Sequence, residues 1–252
     1  MPKVVILIPS RYSARRLPGK PLLKAKGIPL IAHVYKKAKQ TKIGQVYVVT
    51  GDVKILKALK KFTNNCIITK NKHRTGTDRI YEGAKKLRLN NNDYVVNLQG
   101  DEPLISVKDI NRLIKVIVRK KLKIGTLACK INDNKVKQKF NDKNIVKVKT
   151  YKKINKETFS AAKNFFRISK KNKNKNENCY QHIGIYIYKF EILKLFVSLK
   201  QTLREKKLKL EQLRALDNQI PINVVLAETK PMGIDTKSDF VKFKKILERN
   251  NF

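Results

Sequence analysis

Four basic residues fall within ten positions near the N-terminus: Arg11, Arg15, Arg16 and Lys20. Pro18, Gly19 and Pro21 stand among them, so regular structure is not expected there. Arginine offers planar paired donors and lysine a mobile point charge, a combination that suits a triphosphate. The pattern is neither GxxxxGK[ST], because Pro21 follows Lys20, nor GxGxxG. A solvated basic loop would carry the same residues. Two carboxylates form the second set. Asp101 lies in Gln99-Gly100-Asp101-Glu102-Pro103, and Asp235 in Gly233-Ile234-Asp235-Thr236. Carboxylates from distant segments, completed by phosphate oxygens and water, are what magnesium uses. A β-to-α turn closed by an Asx bond is the plainer reading of the first of them.

The elements around these residues place them at one edge of a sheet. Val4 to Ile8 is a continuous apolar run, read as a strand buried on both faces, and it empties into the basic loop. Tyr94 to Leu98 is a central strand ending at Gln99 and Asp101, which puts that aspartate in the crevice where open α/β sheets bind ligands. Between them the spacing predicts a helix over Pro29 to Gln40, a strand over Gln45 to Thr50 and a helix over Val53 to Phe62. A short strand over Cys66 to Thr69 and a helix over Thr77 to Leu87 follow. Val107 to Val118 (helix) and Ile124 to Ala128 (strand) continue the alternation. It implies right-handed crossovers and a doubly wound α/β sheet.

The second half reads differently. Strands are predicted at Ile145 to Lys149, His182 to Tyr188 and Ile222 to Ala227, and helices at Phe190 to Leu199, Leu203 to Leu216 and Asp239 to Leu247. Lys170 to Asn178 is a Lys/Asn tract too polar to pack, expected as a mobile loop. With no linker and no repeat, the chain reads as one domain, residues 1–252, with an inserted lobe at roughly 145–220.

Lys+Arg number 59 against 19 Asp+Glu, a formal net charge of +40. A nucleic-acid-binding protein is the first alternative this raises. The lysines, however, are spread through nearly every segment and travel with asparagine and isoleucine, which marks a compositional bias. No aromatic residues interleave a basic stripe as a stacking surface requires, and Trp is absent. No apolar run approaches the length of a membrane helix, and the N-terminus reads as a strand rather than a signal peptide. Cys66, Cys129 and Cys179 are dispersed without CxxC spacing, which points to reduced thiols, a cytoplasmic location and no cysteine metal cluster.

Taken in order, IPSRYSARRLPGKPL, HRTGTDR, VVNLQGDEPLI, HIGIYIY, LEQLR and GIDT resemble the 3-deoxy-manno-octulosonate (KDO) cytidylyltransferase family, the CMP-KDO synthetases. The resemblance runs from the first strand to the last helix. It implies a Rossmann-like mixed sheet of the nucleotidyltransferase type, with the lobe serving dimerisation and sugar binding. It also implies a homodimer and a magnesium-dependent reaction of CTP with KDO for lipopolysaccharide synthesis. Transfer to another acidic keto-sugar, sialic-acid-like or an amino-KDO, is the nearest enzymatic alternative. By this resemblance Arg11, Arg16 and Lys20 bind the triphosphate, and Pro9, Ser10, Lys70, Thr75 and Gly76 hold the cytidine. Lys70 stands where the family has arginine. Asp101 and Asp235 match the metal-coordinating pair and, with Lys20, the catalytic set. Gln99, His182, Tyr186, Glu211 and Gln212 match the sugar pocket. Where the family reads Phe-Ser-Arg this chain has Phe159-Ser160-Ala161, and Arg167 or Lys163 is expected to replace the missing charge.

Overall fold

In the computed structural model, described over residues 2–13, 16–131, 142–167 and 177–249, the first strand organises the rest. β1 (Val4–Pro9) is flanked by β4 (Gln45–Thr50) and β6 (Tyr94–Asn97), both parallel to it, and β5 (Cys66–Ile68) lies outside β4. Two two-residue strands, β2 (Lys24–Ala25) and β3 (Ile28–Pro29), form a separate small hairpin. Beyond β6 the main sheet continues through β10 (Cys179–Lys189), β7 (Ile124–Cys129), β11 (Ile222–Leu226), β9 (Ser160–Phe166) and β8 (Lys147–Thr150). β10 runs antiparallel to both of its main neighbours, so the sheet is mixed.

Alternation along β1 shows why the sheet is covered on both faces. Val5 and Leu7 join one apolar cluster with Ile80 and Ala84 of helix α3 (Gly76–Lys86). Ile6 and Ile8 join the other, with Ile31 and Val34 of α1 (Leu30–Lys39), Ile55 of α2 (Val53–Leu59) and Ile110 of α4 (Val107–Arg119). Side chains two apart share a face of a strand, so this one run of sequence feeds two cores. The doubly wound reading is correct for this half.

The remaining elements are α5 (Phe190–Ser198), α6 (Leu203–Leu208), α7 (Leu213–Asp217) and α8 (Lys237–Arg249). Here the structure corrects the sequence reading. The single helix expected over Leu203 to Leu216 is two, because Lys209 takes a left-handed conformation, φ 52°, and ends the first. Ser160–Phe166, where no strand was expected, pairs with β8 and β11. The loop at Pro18 to Pro21 holds one regular piece, a 3₁₀ turn over Lys20–Leu22, which tolerates Pro21 at its start. The stretch 145–220 is partly woven into the main sheet, since β10 lies between β6 and β7. At its other end β10 also pairs with β8, so β10, β7, β11, β9 and β8 pair in a closed circuit. The Lys/Asn tract lies, but for its last two residues, outside the described residues.

Candidate active site

At the carboxyl ends of β1 and β6 the chain leaves the sheet in two loops that face each other. Gly19, at φ 66°, lets the first loop reverse over the Tyr12 ring. Asp52 holds the loop's start by accepting from the Tyr12 amide at 2.8 Å. The reversal aims Lys20 inward. Its Nζ lies 2.6 Å from Asp101 Oδ2, 3.3 Å from Asp235 Oδ1 and 2.8 Å from the Ile234 carbonyl. Gly100 precedes Asp101 because a side chain there would meet the Pro9 carbonyl at 2.9 Å.

The second carboxylate arrives by a different route. The Ile234 amide donates to the Asp101 carbonyl at 2.9 Å, which ties the GIDT loop to the QGDEP loop. Thr236 and Asp239 cap the helix that follows, and Ile234 packs with Leu30 and Phe243 beneath. Asp101 and Asp235 therefore converge on one point, marked here by the Lys20 ammonium. Glu102 sits alongside with Oε2 buried and without a hydrogen bond. Burial and the neighbouring Asp101 and Asp235 push its carboxyl up to about 8. Among the described residues no cluster of three His, Cys, Asp or Glu is placed to hold a metal. Two carboxylates converging beside a basic loop fit magnesium, which keeps several waters and takes one or two protein carboxylates plus substrate oxygens.

Around these groups lies a cleft of about 400 Å³, lined by Pro9, Ser10, Arg11, Arg16, Lys20, Thr75, Gly76, Gln99, Asp101 and Asp235 among others. Nearly all the nucleotide-side residues expected from sequence meet here. Arg11, Arg16, Lys20, Arg74 and Arg79 give the wall more positive than negative charge, suited to a triphosphate. Ser10, in the same wall, has its Oγ buried without a hydrogen-bond partner. Thr75 caps α3 through a capping box with Asp78, so the start of that helix forms part of the wall.

Lys70 does not line this cleft. Its side chain is exposed, its amide donates to Glu82, and its carbonyl accepts from Arg79. Arg79 is the residue the sequence reading missed. Only 4% exposed, it donates to Thr69 Oγ1 at 2.6 Å and to the Lys70 and Asn71 carbonyls, fixing the loop beside the cleft. The signal was present in HRTGTDR, because Arg79 lies four residues before Gly83 on the inner face of α3. His73, paired with Glu82 at 2.8 Å, and Arg74 also line the cleft and were passed over.

A smaller cleft of about 110 Å³ adjoins the first and shares Gly76 and Gln99 with it. Its other walls are Thr77, Asn97, Tyr186, Tyr188, Glu211 and Gln212. Four of the five expected sugar residues are therefore together. Glu211 and Gln212 lie not within a helix but in the turn between α6 and α7, which is how they reach the sheet. His182 is the exception. It lines neither cleft, and its ring is walled by Phe165 and Tyr186 with Nε2 3.0 Å from Thr126 Oγ1. Burial holds it down to about 3, so it is neutral at pH 7. The Thr126 hydroxyl proton goes to the Ile185 carbonyl at 2.7 Å, which leaves His182 Nε2 as the donor.

The residues expected to stand in for the missing arginine lie away from both clefts. Ala161 pairs with Asn223 of β11. The Arg167 guanidinium donates to the Leu208 and Lys143 carbonyls, and Lys163 lies over the Tyr151 ring at 5.9 Å. None of the three lines either cleft.

A mixed sheet that opens a basic cleft onto a carboxylate pair, with a polar cleft at its side, defines a nucleotidyltransferase. The chain belongs to the cytidylyltransferase family, whose model, described as Cytidylyltransferase, matches residues 5–226, and within it to the 3-deoxy-manno-octulosonate cytidylyltransferases. The enzyme of that name from Thermodesulfovibrio yellowstonii is 43% identical, covering 96% of this chain and 97% of its own. The one from Histophilus somni (strain 2336) is 36% identical over the same shares. A solved structure of CMP:2-keto-3-deoxy-manno-octonic acid synthetase complexed with CTP superposes with a TM-score of 0.86 at 32% identity, covering 98% of this chain and 99% of that one.

Proposed function

We propose that this nucleotidyltransferase joins CTP to KDO, giving CMP-KDO and pyrophosphate. The observation that carries this reading is the shared wall: one basic cleft and one polar cleft meet at Gly76 and Gln99 beside Asp101 and Asp235. Arg11, Arg16 and Lys20 take the β- and γ-phosphates by charge-assisted hydrogen bonds. Pro9, Ser10, Thr75 and Gly76 hold the cytidine, and Arg79 keeps that wall in place. Gln99, Tyr186, Glu211 and Gln212 orient the sugar, with His182 backing Tyr186.

Asp101 and Asp235 are the groups that would hold magnesium. When bound there, the ion supplies neutralisation of phosphate charge and acidification of the attacking hydroxyl. The sugar's anomeric oxygen bonds to the α-phosphorus as the bond to pyrophosphate breaks, and the hydroxyl proton passes to water. No covalent enzyme intermediate is needed, so positioning and charge neutralisation carry the catalysis.

The product would feed lipopolysaccharide assembly from the cytoplasm. Cys66, Cys129 and Cys179, dispersed and without CxxC spacing, support that location. No helix of the described residues is long and apolar enough to cross a membrane. A homodimer is part of the same proposal. The test is pyrophosphate release from CTP with and without KDO and a divalent cation. Release that needs all three supports the reading. Release without sugar would instead make the chain a nucleotide hydrolase, and no release with all three would refute the proposal.

A further inference from the structure

Helix α3 touches both clefts within its first turn. Thr75 and Gly76 line the larger cleft, and Gly76 and Thr77 the smaller. Thr77 is 3% exposed, and its hydroxyl donates to Glu211 Oε2 at 2.8 Å. The other carboxylate oxygen of Glu211, Oε1, is buried, accepts no hydrogen bond and lies 3.7 Å from Arg214. Arg214 is committed elsewhere: it grips Glu205 through Nε at 2.9 Å and NH2 at 2.6 Å and lies over the Phe196 ring.

This arrangement holds the Glu211 carboxylate from both ends: Oε2 takes the Thr77 hydroxyl, and the buried Oε1 faces Arg214. The turn that carries Glu211 does not need the Thr77 bond to stay folded. Leu210, Leu213 and Ala215 anchor it in the core, and the Arg214–Glu205 pair clamps it from behind. A hydroxyl with a single proton, spent on a carboxylate across the cleft rather than on its own helix, needs another explanation.

We propose that Thr77 is a positioning residue for the acceptor sugar. By holding Oε2 it sets the Glu211 carboxylate in the wall of the small cleft, where it meets a hydroxyl of a polyhydroxy acid. Because Thr77 follows Thr75 and Gly76 in one helical turn, nucleotide seated against that turn also steadies the sugar-side carboxylate. The inference rests on the assignment of the small cleft to the sugar.

Thr77→Val keeps the shape and removes the donor; Thr77→Ser keeps the donor. The measurements are KM for KDO, kcat and CTP affinity in wild type, both variants, Glu211→Ala and the Thr77→Val/Glu211→Ala double variant. The expected result is a rise in KM for KDO of about 10- to 100-fold in Thr77→Val, the value of one hydrogen bond to a charged group. CTP affinity should be unchanged, Thr77→Ser should restore the wild-type KM, and Thr77→Val should add nothing once Glu211 is alanine. If Thr77→Val leaves KM for KDO unchanged while Glu211→Ala raises it, the positioning role is overturned and the cleft assignment stands. An equal rise in Thr77→Ser, or an equal loss of CTP affinity, overturns it in favour of a purely structural role. If Glu211→Ala itself leaves KM for KDO unchanged, the cleft assignment falls and this inference with it.

Discussion

Lys20, Asp101 and Asp235 belong to segments far apart in sequence, yet one ammonium contacts both carboxylates. Removing one carboxylate should therefore disable the site rather than trim it. Asp101→Asn is expected to lower turnover about 10²–10⁴-fold and to raise the magnesium concentration required. Near-normal turnover at unchanged magnesium dependence would count against the assignment. Lys20 is expected to serve the outer phosphates. Lys20→Ala should weaken CTP by about 1.5–3 kcal/mol and CMP by less, which a direct binding titration with both nucleotides decides. Equal losses would place Lys20 elsewhere. At this scale the sequence was readable where charge, glycine and proline coincide, as around Lys20 and Asp101. It was not readable at Arg79 and Glu102. A buried arginine that bonds Thr69 and two carbonyls leaves no partner pattern in the local sequence. Glu102 looks like the second residue of a turn until the GIDT loop is brought beside it.

Whole elements were legible where one period held throughout. β1 was plain from its unbroken apolar run, β6 from Tyr94, Val95 and Val96 ahead of the Gln99-Gly100 break, and α3 from its inward Ile80 and Ala84. Legibility failed at Leu203 to Leu216, where helical periodicity continues through a residue whose backbone is left-handed. Lysine carries no signal for that conformation as glycine would. β9 was missed because Ser160 to Phe166 has weak alternation and gains its strand from pairing with β8. β10 gives this scale its test, through His182. The folded chain holds its imidazole down to about 3 against 6.5 when free, because burial disfavours the cation. Between those values the unfolded chain binds the proton and the folded chain does not. The contribution is thus complete above about pH 6.5 and is lost as pH falls towards 3. His182→Gln should flatten the fall in unfolding free energy between pH 7.5 and 5 by about 1–2 kcal/mol, read from denaturant titrations at a series of pH values. Identical slopes in the two proteins would show that His182 is not held neutral.

Over the whole molecule, the net charge of +40 invited a nucleic-acid reading, and family membership places the chain with cytidylyltransferases instead. Composition is a property of every solvated face, so it spoke about the surface and not about the two clefts. Oligonucleotides should bind weakly, without sequence preference, and release steeply with added salt. A specific, salt-tolerant complex in a filter-binding titration would contradict this. The order of six short motifs along the chain carried far more than any total. Each motif supplies a wall of one of two adjoining clefts, and only the folded sheet makes them adjoin. What the motifs left open was the sugar, because Ala161 departs from the family pattern and neither Arg167 nor Lys163 reaches a cleft. The most direct test is to identify the product formed from CTP and magnesium with KDO, an amino-substituted KDO or a sialic acid offered in separate reactions. The expected result is CMP-KDO and equimolar pyrophosphate from KDO, with sialic acid inert; turnover of sialic acid with none of KDO would contradict the account.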